Sequence, residues 1–166
     1  MPLTKKLQFR GICNPSAAIA LDSSRFIVAD DEDNALRIYD KNRTDSPPLQ
    51  TIFLKDVFKH EIVDGEDMEI DLEGAAELAG QFFWIGSHST SRTGDMRLSR
   101  HRLFAMQISL DGKGHYQATP SGKIYTRLID DLMKDSRYAD YHFDRAQNNP
   151  PKALGGLSIE GLAATH

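Results

Sequence analysis

The chain has 166 residues, 40% of them hydrophobic and 27% charged, with a formal net charge of -4 and an isoelectric point near 5.8. That length supports one domain with its own core, and the composition is that of an ordinary globular protein. The acidic balance argues against a broad electrostatic footprint for nucleic acid or anionic membrane, and no apolar run approaches the length of a membrane-spanning helix.

The N-terminus carries Lys5 and Lys6 but no apolar stretch after them, so it does not read as a signal peptide. Cys13 is the single cysteine, which excludes an internal disulfide and makes a cytoplasmic location the expectation. Without a neighbouring thiol, Cys13 reads as a small buried apolar residue.

In chain order, the first elements are short strands separated by turns. Ser16–Leu21 is a small-residue strand, and Asp22-Ser23-Ser24 turns the chain into the β-branched and aromatic run Arg25–Ala29. The acidic turn Asp30–Asn34 leads to Ala35–Tyr39, which alternates apolar and polar residues through most of its length. After a loop at Asn42–Pro48, Leu49–Leu54 supplies a fourth strand. Four such strands joined by short connections make one propeller blade.

A second unit matches the first without a gap at an offset of 57 residues: Ala18 falls on Ala75, Leu21 on Leu78, Phe26 on Phe83 and Ile27 on Trp84. Its strands are expected at Glu73–Leu78, Gln81–Gly86, Arg102–Ile108 and Gly122–Arg127. Leu128, Ile129, Leu132 and Met133 share one helical face, so residues 128–136 form a short helix, and Tyr138–Pro151 reads as a surface loop. Leu72-Glu73-Gly74-Ala75-Ala76 then recurs as Ile159-Glu160-Gly161-Leu162-Ala163. The expected fold is therefore all-β: a partial β-propeller of blade one at about 12–56, blade two at about 70–127, a helical insert at about 128–150 and the start of a third blade at 155–166. Such an array has open edges, to be covered by remaining blades or by another chain.

Five segments in order carry a resemblance: Ser16-Ala17-Ala18, Ala29–Asn34, Asp71–Ala76, Trp84-Ile85-Gly86-Ser87-His88 and Ser99–Phe104. Together they resemble an uncharacterised bacterial family, a domain of unknown function. The resemblance implies a β-propeller and makes this chain an N-terminal portion of a longer protein; it supplies no activity. The Glu-Gly-Leu-Ala piece is also similar to a strand start in the esterase-like phytase propellers.

Three constellations are candidates for chemistry. Propeller inner strands line a central channel, so Glu73 and Glu160 are expected at equivalent places around one axis, with Ser16 at the matching place in the first unit. Asp71, two residues from Glu73, shares a face of the extended chain with it. Clustered carboxylates there suit Ca²⁺, an oxygen-seeking cation, or else accept backbone hydrogen bonds that lock the array; both readings stand. Gly74 and Gly161 permit close backbone approach. The acidic turn Asp30–Asn34 is oxygen-rich, but it lacks the spacing and the glycine of a calcium loop and is a turn first.

The third constellation is His88 with Arg97, Arg100 and Arg102, which could receive a phosphate or carboxylate or else pair with nearby acids and solvent. On a strand, Arg100 and Arg102 share one face and His101 takes the other. The remaining searches are negative. Gly156–Gly161 has one residue too many for a nucleophile elbow, and the histidines at 60, 88, 101, 115, 142 and 166 show no zinc spacing. Two functions follow as expectations: a ligand- or protein-binding module without covalent chemistry, or a calcium-assisted phosphate- or ester-hydrolase. The second uses Asp71, Glu73 and Glu160 as metal ligands, with the arginine segment as anion clamp.

Overall fold

A computed structural model describes residues 6–59, 61–62 and 68–165. Two four-stranded antiparallel sheets dominate it, each a meander in chain order. The first contains β1 (Pro15–Ala20), β2 (Arg25–Asp30), β3 (Ala35–Asp40) and β4 (Gln50–Phe53). A short helix, α1 (Leu54–Phe58), leads away from it. The second contains β5 (Leu72–Leu78), β6 (Gln81–Gly86), β7 (Leu103–Leu110) and β8 (Tyr116–Pro120).

The turns are built by the residues expected of them. Asp22 Oδ1 accepts hydrogen bonds from the amides of Ser24 and Arg25, closing the β1–β2 connection. Asp111 Oδ1 does the same for Lys113 and His115, while Gly114 takes a φ of +84°. That tight hairpin returns the chain at once, so Tyr116 pairs with Leu110 and the fourth strand of the second sheet lies at Tyr116–Pro120. The expectation of a strand at 122–127 is thus corrected: those residues contribute a single bridge, Tyr125 to Leu103, before helix α2 (Leu128–Lys134).

The stretch read as a surface loop, 138–151, is also more regular than expected. A 3-10 segment spans Ser136–Tyr141 and helix α3 spans Phe143–Ala146. Residues 156–165 form no strand, contrary to the expected start of a third unit. A strand requires a ladder, and this segment makes one main-chain bond to the second sheet's end, from the Ile159 amide to the Ser87 carbonyl. It nevertheless lies against β5: a Cβ placed on Gly74 would stand 2.7 Å from the Gly161 carbonyl carbon and 2.8 Å from the Leu162 nitrogen.

The core lies between the sheets. Ile27, Ala29, Leu36, Ile38 and Ile52 face it from the first, and Phe82, Trp84, Phe104 and Met106 from the second. Leu54 and Phe58 of α1, with Ile62 and Ile70, close its lower part, and Phe58 meets Phe104 edge-on at 4.9 Å. On the other side of the first sheet, Phe9 packs on Phe26 and Tyr39. Polar stitches join the sheets, among them Arg25 of β2, which donates to the Tyr116 hydroxyl at 2.8 Å. The Gln50 side chain donates to the Tyr116 carbonyl at 2.7 Å and accepts from its amide at 2.8 Å, and the Ser16 hydroxyl donates to the Leu72 carbonyl. Among the described residues no helix is long and apolar enough to cross a membrane.

Candidate functional site

The pairing of β1 with β2 shifts register between Pro15 and Ala17, and that of β5 with β6 between Leu72 and Gly74. The residues left over at these bulges are Ser16 and Glu73, the pair matched at the 57-residue offset. A bulge re-aims its side chain and bends the strand locally. Glu73 is thereby turned into a pocket of about 860 Å³ at this end of the sheets, which Asp31, Asp71, Arg100 and Glu160 also line.

Carboxylate oxygens of Asp31, Asp71 and Glu73 lie within 4.8 Å of one another. Asp71 holds its place in the left-handed region, φ +56°, and its main-chain oxygen accepts from the Ser87 amide at 2.9 Å. Its side chain meets the Arg100 guanidinium at 2.9 Å. Arg100 also binds Glu69 at 3.0 Å and donates to the Ser89 hydroxyl at 3.0 Å. One guanidinium therefore serves two carboxylates, leaving a surplus of negative charge. Burial, followed by the charges of Asp71, Glu160 and Asp31, pushes the Glu73 carboxyl up to about 7, against a partial opposing pull from Arg100. Burial and then the Asp71 charge raise Asp31 as well, and Asp31 Oδ1 is shielded from water with no hydrogen-bond partner.

Asp31 comes from the acidic turn, of which Asp30, Asp33 and Asn34 act in the scaffold. Asp30, 2% exposed, accepts from the amides of Cys13 and Glu32. Asp33 pairs with Arg37 at 2.5 Å, and Asn34 exchanges hydrogen bonds with the main chain of Met68 and Ile70. The turn is thus a turn, as its composition indicates, and it also delivers Asp31 and Glu32 to the pocket lining. The sequence offers Asp31 only as one member of an oxygen-rich turn and does not join it to Asp71, because their spacing carries no motif. The available signal was positional: Asp31 directly follows β2 and Asp71 directly precedes β5, so both leave their sheets beside the bulged residues. Cys13, expected to be buried, is exposed, because it lies before β1 and outside the core.

Glu160 reaches the same pocket from the 156–165 segment. It is exposed, accepts from the Ser158 hydroxyl at 2.6 Å and stands outside the three-carboxylate cluster. Arg92 and Lys152 add positive charge to the pocket's lining. Three carboxylates offer at most about six oxygens, which fits a cation that takes about six to eight, with the rest from water or ligand. The unpartnered, shielded Asp31 oxygen is the feature of this donor set that a cation would satisfy.

The residues considered as anion contacts do not converge. Arg100 stands in the carboxylate pocket, whereas Arg97 and Arg102 line a different cavity, with His101. The expected shared face of Arg100 and Arg102 fails because Leu98–Arg100 is a 3-10 turn and β7 begins only at Leu103. His88 is fully buried with φ +53°, and its Nδ1 lies 2.9 Å from the Gly86 carbonyl oxygen. Burial brings its imidazole down to about 4, so it stays neutral near pH 7. His60 and His166 lie outside the described residues.

No curated protein matches the chain. Residues 14–107, more than half of its length, match the sequence family described as protein of unknown function DUF3616. These residues include β1 to β6, Asp31, Asp71, Glu73 and Arg100, and the chain belongs to that family.

Proposed function

We propose that the chain is a β-propeller-type binding module whose carboxylate pocket holds a divalent cation of calcium type, and through it a ligand. The observation that carries this reading is the convergence of Asp31, Asp71 and Glu73 from two sheets, with oxygens within 4.8 Å and one shielded oxygen unpartnered. Mutual repulsion among fixed carboxylates disfavours the free site and favours whatever cation relieves it.

The propeller part of the reading is supported by how the sheets stack. In the first sheet the core-facing register is Ile19, Ile27, Ile38; in the second it is Ala75, Trp84, Phe104. The two sheets are successive four-stranded antiparallel meanders packed against each other around one core, as neighbouring blades are. The first strands also approach each other, with Ser16 bonded to the Leu72 carbonyl. Further blades or another chain are the partners such stacking accepts.

Calorimetric titration of the chelator-treated protein with CaCl₂ tests the reading. Saturable binding that Glu73→Gln weakens tenfold or more is expected; heats equal to the buffer blank, or identical in the two proteins, would refute it. A second reading, calcium-assisted hydrolysis of phosphate or ester substrates, is favoured by Arg92 and Lys152 beside the carboxylates. Turnover of p-nitrophenyl phosphate or acetate that depends on calcium and is lost in Glu73→Gln would select it over binding alone.

A further inference from the structure

The cavity that receives Arg97 and Arg102 lies apart from the carboxylate pocket and has the opposite charge. It measures about 710 Å³, and its lining includes His101, Arg102, Arg127, Asp130 and Met68. Arg102 is half-buried, and no described residue forms a hydrogen bond or ion pair with its guanidinium. Its Nη1 is closed to water as well as unpartnered. Beside it, His101 is 8% exposed and its Nε2 also has no partner. Arg127 stands at the exposed rim, bonded to Asp131 at 3.3 Å. Arg97 has a partner of its own and adds only to the field.

Buried guanidinium groups are held in folded proteins by acceptors, because removing the charge from water without compensation is costly. Asp130 is the single carboxylate on the cavity wall among the described residues; it is exposed and makes no ion pair with Arg102. The Glu61 carboxylate attracts the guanidinium without forming a hydrogen bond or ion pair with it, so Arg102 keeps an unfilled donor while a cavity adjoins it. A planar guanidinium presents paired N–H donors matched to two oxygens of one oxyanion, and an imidazole N–H supplies a third donor. Met68, Met96 and Leu98 give the remaining wall an apolar character.

We propose that this cavity is a binding site for a small oxyanion, a phosphate or carboxylate group, held by Arg102 and His101. The site is independent of the cation pocket and requires no metal.

The test uses the full chain in EDTA, at constant ionic strength, with sodium phosphate replacing sodium chloride. The thermal midpoint of the native protein is expected to rise saturably through the millimolar range of phosphate, and the Arg102 Nε–H resonance to shift with the same midpoint. Arg102→Met should bind phosphate tenfold more weakly or worse. In phosphate-free buffer it should melt at or above the native temperature, since the substitution removes an unpaired charge and no hydrogen bond. Arg43→Met, which removes one exposed positive charge from the turn after β3, should keep the native response. The proposal is overturned if phosphate has no saturable effect, if both variants respond alike, or if Arg102→Met fails to fold. Because EDTA is present throughout, a negative result here leaves the calcium reading standing, and a positive one does not depend on it.

Discussion

Glu73→Gln separates a strained carboxylate from a comfortable one. The substitution keeps the shape of the side chain and removes its charge from a pocket already holding Asp31 and Asp71. The Glu73 carboxyl stands at about 7 in the folded chain against an ordinary value of 4.5. A folded-state value above the unfolded one means that the native state binds the proton more tightly. Its contribution to stability is therefore full below about pH 4.5, declines as the pH rises, and is gone above about pH 7. The whole gap corresponds to ~3 kcal/mol, and solvent screening at a part-exposed site reduces this to ~1–2 kcal/mol. In EDTA the variant should match the native protein at pH 4.5 and exceed it by that amount at pH 8, or roughly 3–6 °C in thermal midpoint for a chain of this size. Circular-dichroism melts at both pH values decide the matter. A Glu73→Gln protein no more stable than native at pH 8 would refute the claim that this carboxylate is crowded by its neighbours.

Other expectations follow from single contacts. Gly74→Ala places a methyl carbon 2.7 Å from Ile85 Cγ2 and from the Gly161 carbonyl carbon, so urea unfolding should show a loss of ~1–3 kcal/mol, and limited proteolysis should cut the 156–165 segment faster. Gln50→Ala leaves both main-chain polar groups of Tyr116 without their partner and should cost about 1–3 kcal/mol in the same assay. His88 lies below its ordinary 6.5, at about 4, because burial penalises its charged form. The stability held by its neutral ring is present above pH 6.5 and is lost as the pH falls toward 4; the ring's NMR titration should show no protonation at pH 5.5. A His88 midpoint near 6.5 would contradict its burial.

Much of the β architecture was legible because the relevant signals are local. Alternation at Ala35–Tyr39, β-branched and aromatic runs at Arg25–Ala29 and Gln81–Gly86, and Asp-rich turns each determine a short element without help from the rest of the chain. β8 was missed because Tyr-Gln-Ala-Thr-Pro carries little apolar periodicity; its place is set by the Asp111 turn and by the neighbouring strand. The 3-10 segment and α3 escaped notice because their helical stretches are too short to show a periodic face. Among the pocket's lining residues, the repeated Glu-Gly singles out Glu73 and Glu160, and Asp71 follows from its place two residues before Glu73. Asp31 is visible only as part of an acidic turn, since its link to Asp71 exists only where two sheet ends meet. The grouping of Arg100 with Arg102 failed for the converse reason: a 3-10 turn sends neighbouring side chains into different pockets, which strand geometry does not anticipate.

The most direct measurement is anomalous diffraction from crystals of the chain soaked in terbium chloride, Tb³⁺ standing in for Ca²⁺. The expected result is one dominant anomalous peak within bonding distance of Asp31, Asp71 and Glu73, absent in crystals of Glu73→Gln. A dominant peak elsewhere, or none between these three carboxylates, would contradict a cation site in this pocket.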